Sequence, residues 1–220
     1  MHPTLVIILT LISGISWSIV YIDLIRRGFK DQTYGMPLFA LAFNIAWEFI
    51  FAFVTGFHIS VQKIVNVVWF ALDALIVYTY FKHGRRDFPK AYEKYFLPWS
   101  IAAFLVGFIV IYAMVMELGA DWAARYSAFG QNLLMSVLFI VMLVRRGNVD
   151  GQSMTIAIFK WLGTLAPTIQ FYAQTGSVMI LVFGAGCFVY DLVYIWMLRN
   201  KFIELGLNPF TRKAAALPVD

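Results

Sequence analysis

The chain has 220 residues, of which 61% are apolar, 18% aromatic and only 13% charged, with a formal net charge of +5. Soluble domains carry about 25% charged residues, so this composition excludes an ordinary soluble protein and predicts an all-α membrane protein. The single cysteine, Cys187, excludes an intrachain disulfide and a cysteine-based metal cluster. Its simplest role is as a small packing residue.

Seven apolar stretches are long enough, or nearly so, to span about 30 Å of hydrocarbon. They lie near 4–25, 36–57, 62–81, 97–116, 123–144, 153–172 and 177–198. The expectation is one seven-helix transmembrane domain over 1–220, with short loops and no soluble domain. The first stretch has no Lys or Arg before it and no small-x-small cleavage site, so it is not expected to be a cleaved signal peptide. Arg26 and Arg27 follow it directly, with Lys30 in the same connection. Lys82, Arg85, Arg86, Lys90 and Lys94 lie between spans three and four, Arg145 and Arg146 between five and six, and Arg199, Lys201, Arg212 and Lys213 in the tail. In all, 14 of the 17 basic residues fall on one side. The positive-inside rule then predicts the N-terminus outside and the C-terminus cytoplasmic, in a plasma or endoplasmic reticulum membrane. Topology and anionic lipid account for the positive charge, which gives no reason to invoke nucleic acid.

In chain order, the first span ends on Asp23, an interfacial acid that pairs most simply with Arg26 or Arg27. The second, Met36-Pro-Leu-Phe-Ala-Leu-Ala-Phe-Asn44-Ile-Ala-Trp47-Glu48-Phe-Ile-Phe-Ala-Phe-Val, carries Glu48 near the midplane. A charge there costs about 2.5–3.5 kcal/mol on insertion scales. Asn44 precedes Glu48 by one helical turn, so both point the same way. Asp73 in the third span follows Trp69 by one turn; it either lines a cavity or bonds a neighbouring helix. Gln131 and Asn132 in the fifth span and Gln170 in the sixth suit interhelical hydrogen bonding. Lys160, beside Trp161, either snorkels or neutralises a buried acid. The seventh span holds Phe188-Val-Tyr190-Asp191-Leu-Val-Tyr194-Ile-Trp196.

Glu48 and Asp191 are the strongest functional candidates, being buried acids in aromatic surroundings. An acid kept neutral by burial can donate a proton, and aromatic faces can stabilise a cation. Proton-coupled transporters place acids and aromatics at mid-membrane too, so this reading alone leaves both chemistries open. The histidines, His2, His58 and His83, are too scattered for a metal site, and neither metal nor cofactor is expected.

At Tyr34-Gly-Met-Pro-Leu-Phe-Ala-Leu-Ala-Phe-Asn44-Ile-Ala-Trp47-Glu48-Phe and at Tyr190-Asp191-Leu-Val-Tyr194-Ile, the chain resembles a known family. These are the small seven-helix integral-membrane terpene cyclases of fungal meroterpenoid and indole-diterpene pathways, such as the paxilline- and pyripyropene-pathway cyclases, and their bacterial relatives. The resemblance implies an isomerase- or lyase-type enzyme acting on a prenylated, hydrophobic small molecule. Its acids on the second and seventh helices, Glu48 and Asp191 here, start and support cyclisation by protonating an epoxide or terminal alkene without loss of diphosphate. The chain has no Asp-Asp-x-x-Asp or Asn-Asp-x-x-Asp cluster for a magnesium diphosphate. Asn44, Trp47, Trp69, Asp73, Asn132, Trp161, Tyr190 and Tyr194 are pocket candidates. The alternative is a seven-helix small-molecule transporter whose buried acids couple to protons, although the Pro-Gln dipeptides frequent in such carriers are absent. A retinal photoreceptor fails for want of a lysine in the seventh span before Lys201.

Overall fold

The computed structural model describes residues 1–55 and 61–214. The end of the second expected span, at 56–57, and His58 lie outside the described residues. Helices account for nearly all the rest: α1 (Pro3–Lys30), α2 (Leu38–Phe49), α3 (Val61–His83), α4 (Phe96–Arg146), α5 (Met154–Thr175) and α6 (Val178–Glu204). Among the described residues there is no strand, only an isolated bridge between Leu207 and Ala214.

Local chemistry sets several boundaries. Pro3 opens α1, where a missing N–H costs nothing. Ser153 and Ser177 cap α5 and α6 by accepting from the amides of Ile156 and Ile180. α2 does not stop at Phe49 but widens into a π-helical turn, Ile50–Val54, closed by the Thr55 amide on the Ile50 carbonyl at 2.9 Å.

The 51 residues of α4 would span about 76 Å if straight, more than twice the hydrocarbon thickness. Gly119 interrupts them with φ 74° and ψ 159°, a region that glycine alone enters easily. Both ends of α4 meet the same short connection. Phe96 lies 5.7 Å from the ring of Phe88, and the Arg146 guanidinium pairs with Asp87 at 2.9 Å. The helix therefore doubles back at Gly119 into two limbs, 96–118 and 120–146. The sequence places a loop at this point, whereas the structure needs a single non-helical residue.

The molecule exposes apolar side chains, as lipid requires, and keeps its polar groups within a largely apolar interior. Ile7, Leu11, Ile15 and Ile22 of α1, Ile109 of α4 and Val182 and Val189 of α6 are exposed, while Asn44, Asp73, Lys160 and Asp191 are buried. Four helical stretches, Pro3–Lys30, Val61–Asp87, Lys90–Arg146 and Val178–Glu204, are long and apolar enough to cross a membrane. α1 packs on α5 and α3, α2 on α3 and α4, and α6 on α4 and α5. Small residues allow the closest approaches. A Cβ on Gly107 would lie 2.7 Å from the Ala42 carbonyl oxygen, and one on Gly184 would lie 2.2 Å from Thr168 Cγ2.

Candidate active site

Three helices each contribute a pair of residues one turn apart: Trp17 and Tyr21 from α1, Asn44 and Glu48 from α2, Trp69 and Asp73 from α3. Spacing of i, i+4 puts both members of a pair on one face, and the three faces converge. The Tyr21 hydroxyl donates to Glu48 Oε1 at 3.1 Å. Asn44 Nδ2 donates to Tyr21 Oη at 2.6 Å and to Asp73 Oδ2 at 2.7 Å. Tyr21, Glu48 and Asp73 are at most 2% exposed and Asn44 is 4% exposed. The amide of Asn44 thus spends its hydrogens on both neighbours, which fixes the phenol and, through it, the carboxyl group of Glu48. Glu48 Oε2 and Asp73 Oδ1 remain without a partner among the described residues, and a buried polar atom left so costs about 1–3 kcal/mol.

Glu48 opens onto a cavity of about 980 Å³, at the upper end of the range for small-molecule sites. Around the acid its wall is aromatic, with Trp17, Tyr21, Trp47, Phe51 and Trp69. Trp69 Nε1 donates to Ser18 Oγ at 3.2 Å and Trp47 Nε1 to the Ala124 carbonyl at 3.0 Å, so both indoles are held by their polar edges. The Tyr21 ring lies 5.9 Å from that of Trp69 and 6.3 Å from that of Trp17. The π-helical turn begins two residues after Glu48 and carries Phe51 into the same wall. Such turns recur at functional sites. Farther along, the lining becomes polar through Gln62, Asn66, Arg125, Gln131, Asn132 and Gln170.

Of the residues expected at the site, Asn44, Trp47, Glu48, Trp69 and Asn132 line this cavity, and Asp73 sits behind Asn44. Asp191 does not reach it. Lys160 Nζ donates to Asp191 Oδ1 at 2.6 Å and to Ser136 Oγ at 2.6 Å, in a pair that is 0% and 1% exposed. The acid beside Glu48 is Asp73, and Asp191 neutralises Lys160 instead. Tyr194, fully buried, donates to Gln152 Oε1 at 3.0 Å and packs on Phe139. Tyr190 is exposed, and the Trp161 ring packs 5.7 Å from Phe188. For Asp191, Tyr190 and Tyr194 the cause is the orientation of α6. Cys187, Asp191, Tyr194 and Leu198 form the buried face of α6, and that face is turned to α4 and α5 rather than to α2. Asp23 meets Arg26 at 2.7 Å and also accepts from Ser153 Oγ.

Sequence reasoning missed Tyr21, the residue that touches Glu48. Its spacing from Trp17 was the available clue, but an aromatic pair one turn apart is equally the mark of plain core packing.

The chain matches, over residues 2–200, the sequence profile of the Pyr4-like transmembrane terpene cyclases. Terpene cyclase pyr4 of Aspergillus fumigatus is 30% identical over 209 residues, which cover 87% of this chain and 86% of that relative. Terpene cyclase macJ of Penicillium terrestre is 30% identical over 232 residues, covering 93% and 87%. Pyr4-family terpene cyclase mfmH of Annulohypoxylon moriforme is 31% identical over 167 residues, covering 74% and 68%. No solved structure matches the chain. A profile match across almost the whole length, an all-helical body with membrane-crossing helices and an aromatic cavity around a buried acid agree: this chain belongs to the Pyr4-like transmembrane terpene cyclases.

Proposed function

We propose that this membrane terpene cyclase begins its reaction by proton transfer from Glu48 to an epoxide oxygen or terminal alkene of a prenylated substrate. The observation that carries the reading is the split environment of the Glu48 carboxyl group. Oε1 is held by Tyr21, while Oε2 is buried in the cavity wall with no partner among the described residues. A neutral carboxyl group so placed presents its proton to the cavity. As the proton leaves Oε2, charge grows on the carboxylate, and the Tyr21 hydroxyl bond becomes charge-assisted. Epoxide protonation weakens one C–O bond, the nearest alkene attacks the carbon as it opens, and successive alkenes close rings. Loss of a proton from the last cation ends the cascade, so substrate and product are isomers. Trp17, Trp47, Trp69 and Phe51 offer their faces to the intermediate cations. Family membership favours this cyclase reading over the transporter, which the polar pattern alone left open.

Asp191 enters this reading as a positioning residue. Its pairing with Lys160 ties α6 to α5, and α5 carries Pro167, Gln170 and Phe171 of the cavity wall. For topology the proposal is seven spans with the N-terminus outside. The doubling of α4 at Gly119 and the basic clusters at 26–30, 82–94, 145–146 and 199–213 support it.

The test is Glu48→Gln in membranes supplied with prenylated epoxides, with products separated by mass spectrometry. The amide keeps an acceptor for Tyr21 and loses the acid, so cyclisation is expected to slow by about 10²- to 10⁴-fold. Turnover at the wild-type rate would sink the assignment.

A further inference from the structure

The cavity wall is aromatic around Glu48 and also carries a cation, Arg125, on the second limb of α4. Its guanidinium carbon lies 5.4 Å from the ring centre of Trp122 and 5.5 Å from that of Phe171. Such contacts stabilise the cation without neutralising its charge or using an N–H donor. No hydrogen bond or ion pair from Arg125 to another described residue accompanies them. Asp121, one turn away on the same helix, also lines the cavity but stands outside ion-pair distance, and Lys63 adds a second basic residue to the wall. Nearby, Thr10 Oγ1 donates to Gln170 Oε1 at 3.1 Å, while the buried Gln131 Oε1 has no partner among the described residues. The level of Thr10 and Gln170 lies about 16 Å along α1 from Tyr21. Trp47, next to Glu48, donates to the carbonyl of Ala124, next to Arg125, at 3.0 Å, so the acid and the cation reach the cavity from adjoining parts of α2 and α4.

We propose that Arg125 is a specificity-determining residue that binds an acidic oxygen on the substrate's head group, an enol or carboxylic acid, and thereby delivers the far end of the prenyl chain to Glu48. The inference rests on the reading that Glu48 starts the reaction in this cavity. A neutral head group such as an indole would leave the half-buried Arg125 without a counter-charge, whereas an oxyanion forms a charge-assisted pair with it. Gln131 Oε1 then accepts from a hydroxyl on the same head group.

The experiment pairs two substrates with one prenyl chain, one bearing a free acidic head group and the other its O-methyl derivative. Wild-type enzyme is expected to prefer the free acid by about 10- to 100-fold in kcat/KM, the value of a hydrogen bond to a charged group. Arg125→Gln is expected to lose that preference mainly through a raised KM for the free acid, and Arg125→Lys to restore part of it. Equal use of both substrates by wild type, or an intact preference in Arg125→Gln, overturns the proposal and leaves Arg125 as a lipid-phosphate anchor. Binding of a saturated-chain analogue, which cannot cyclise, is measured alongside on detergent-purified protein. Loss of acid-selective binding in Arg125→Gln supports the proposal even if Glu48→Gln still cyclises, in which case only the assignment of Glu48 fails.

Discussion

Removing one half of the Lys160–Asp191 pair is expected to unfold the protein, and removing both halves is not. Lys160 Nζ lies 2.6 Å from Asp191 Oδ1, with neither residue more than 1% exposed. Truncating one partner of such a pair costs about 3–5 kcal/mol, because the other charge stays buried without compensation. That is much of a typical folding free energy of about 5–15 kcal/mol. Replacing both partners by apolar residues of similar volume is often neutral, or stabilising by about 1–4 kcal/mol. Lys160→Met and Asp191→Leu should therefore each lower folded yield and thermal midpoint sharply, while the double variant recovers most of both. The assay is fluorescence-detected size exclusion and thermal unfolding in detergent, with cyclisation measured per folded molecule. If the two single losses simply add in the double variant, the side chains do not interact as described. A folded double variant with no activity would refute the positioning role, because Asp191 would then have to enter the chemistry itself.

Tyr21→Phe keeps the ring and removes the hydroxyl that holds Glu48 Oε1 and receives Asn44. A fall in single-turnover rate of about tenfold is expected, the worth of one charge-assisted bond; an unchanged rate would break the link between the network and the acid. Gly107→Val places its Cβ 2.7 Å from the Ala42 carbonyl oxygen. Backbone cannot yield there, so folded yield should drop, and a wild-type yield would mean that α2 and α4 do not pack as closely as described. Topology is read from single cysteines in a Cys187→Ala background. A membrane-impermeant maleimide should label His2→Cys on intact cells and Lys213→Cys only after permeabilisation, and the reverse pattern would invert the orientation.

Sequence by itself determined the helical class and the membrane setting, because both follow from additive properties. Apolar runs of about 20 residues between basic clusters have few alternatives once backbone groups must be satisfied in lipid. It also located Asn44 and Glu48 on one face, since that relation is internal to a single helix. Two matters lay beyond it. The sequence marked a gap between the limbs of α4 but could not tell a loop from the one-residue reversal at Gly119, which depends on where both helix ends dock. Nor could it say which buried groups meet. The sequence favours Asp191 over Asp73 as the partner of Glu48, yet helix rotation brings Asp73 to Asn44, beside Glu48, and turns Asp191 to Lys160. Pairing among buried charges is settled by the relative phase and height of separate helices, a property of their packing that no one helix encodes.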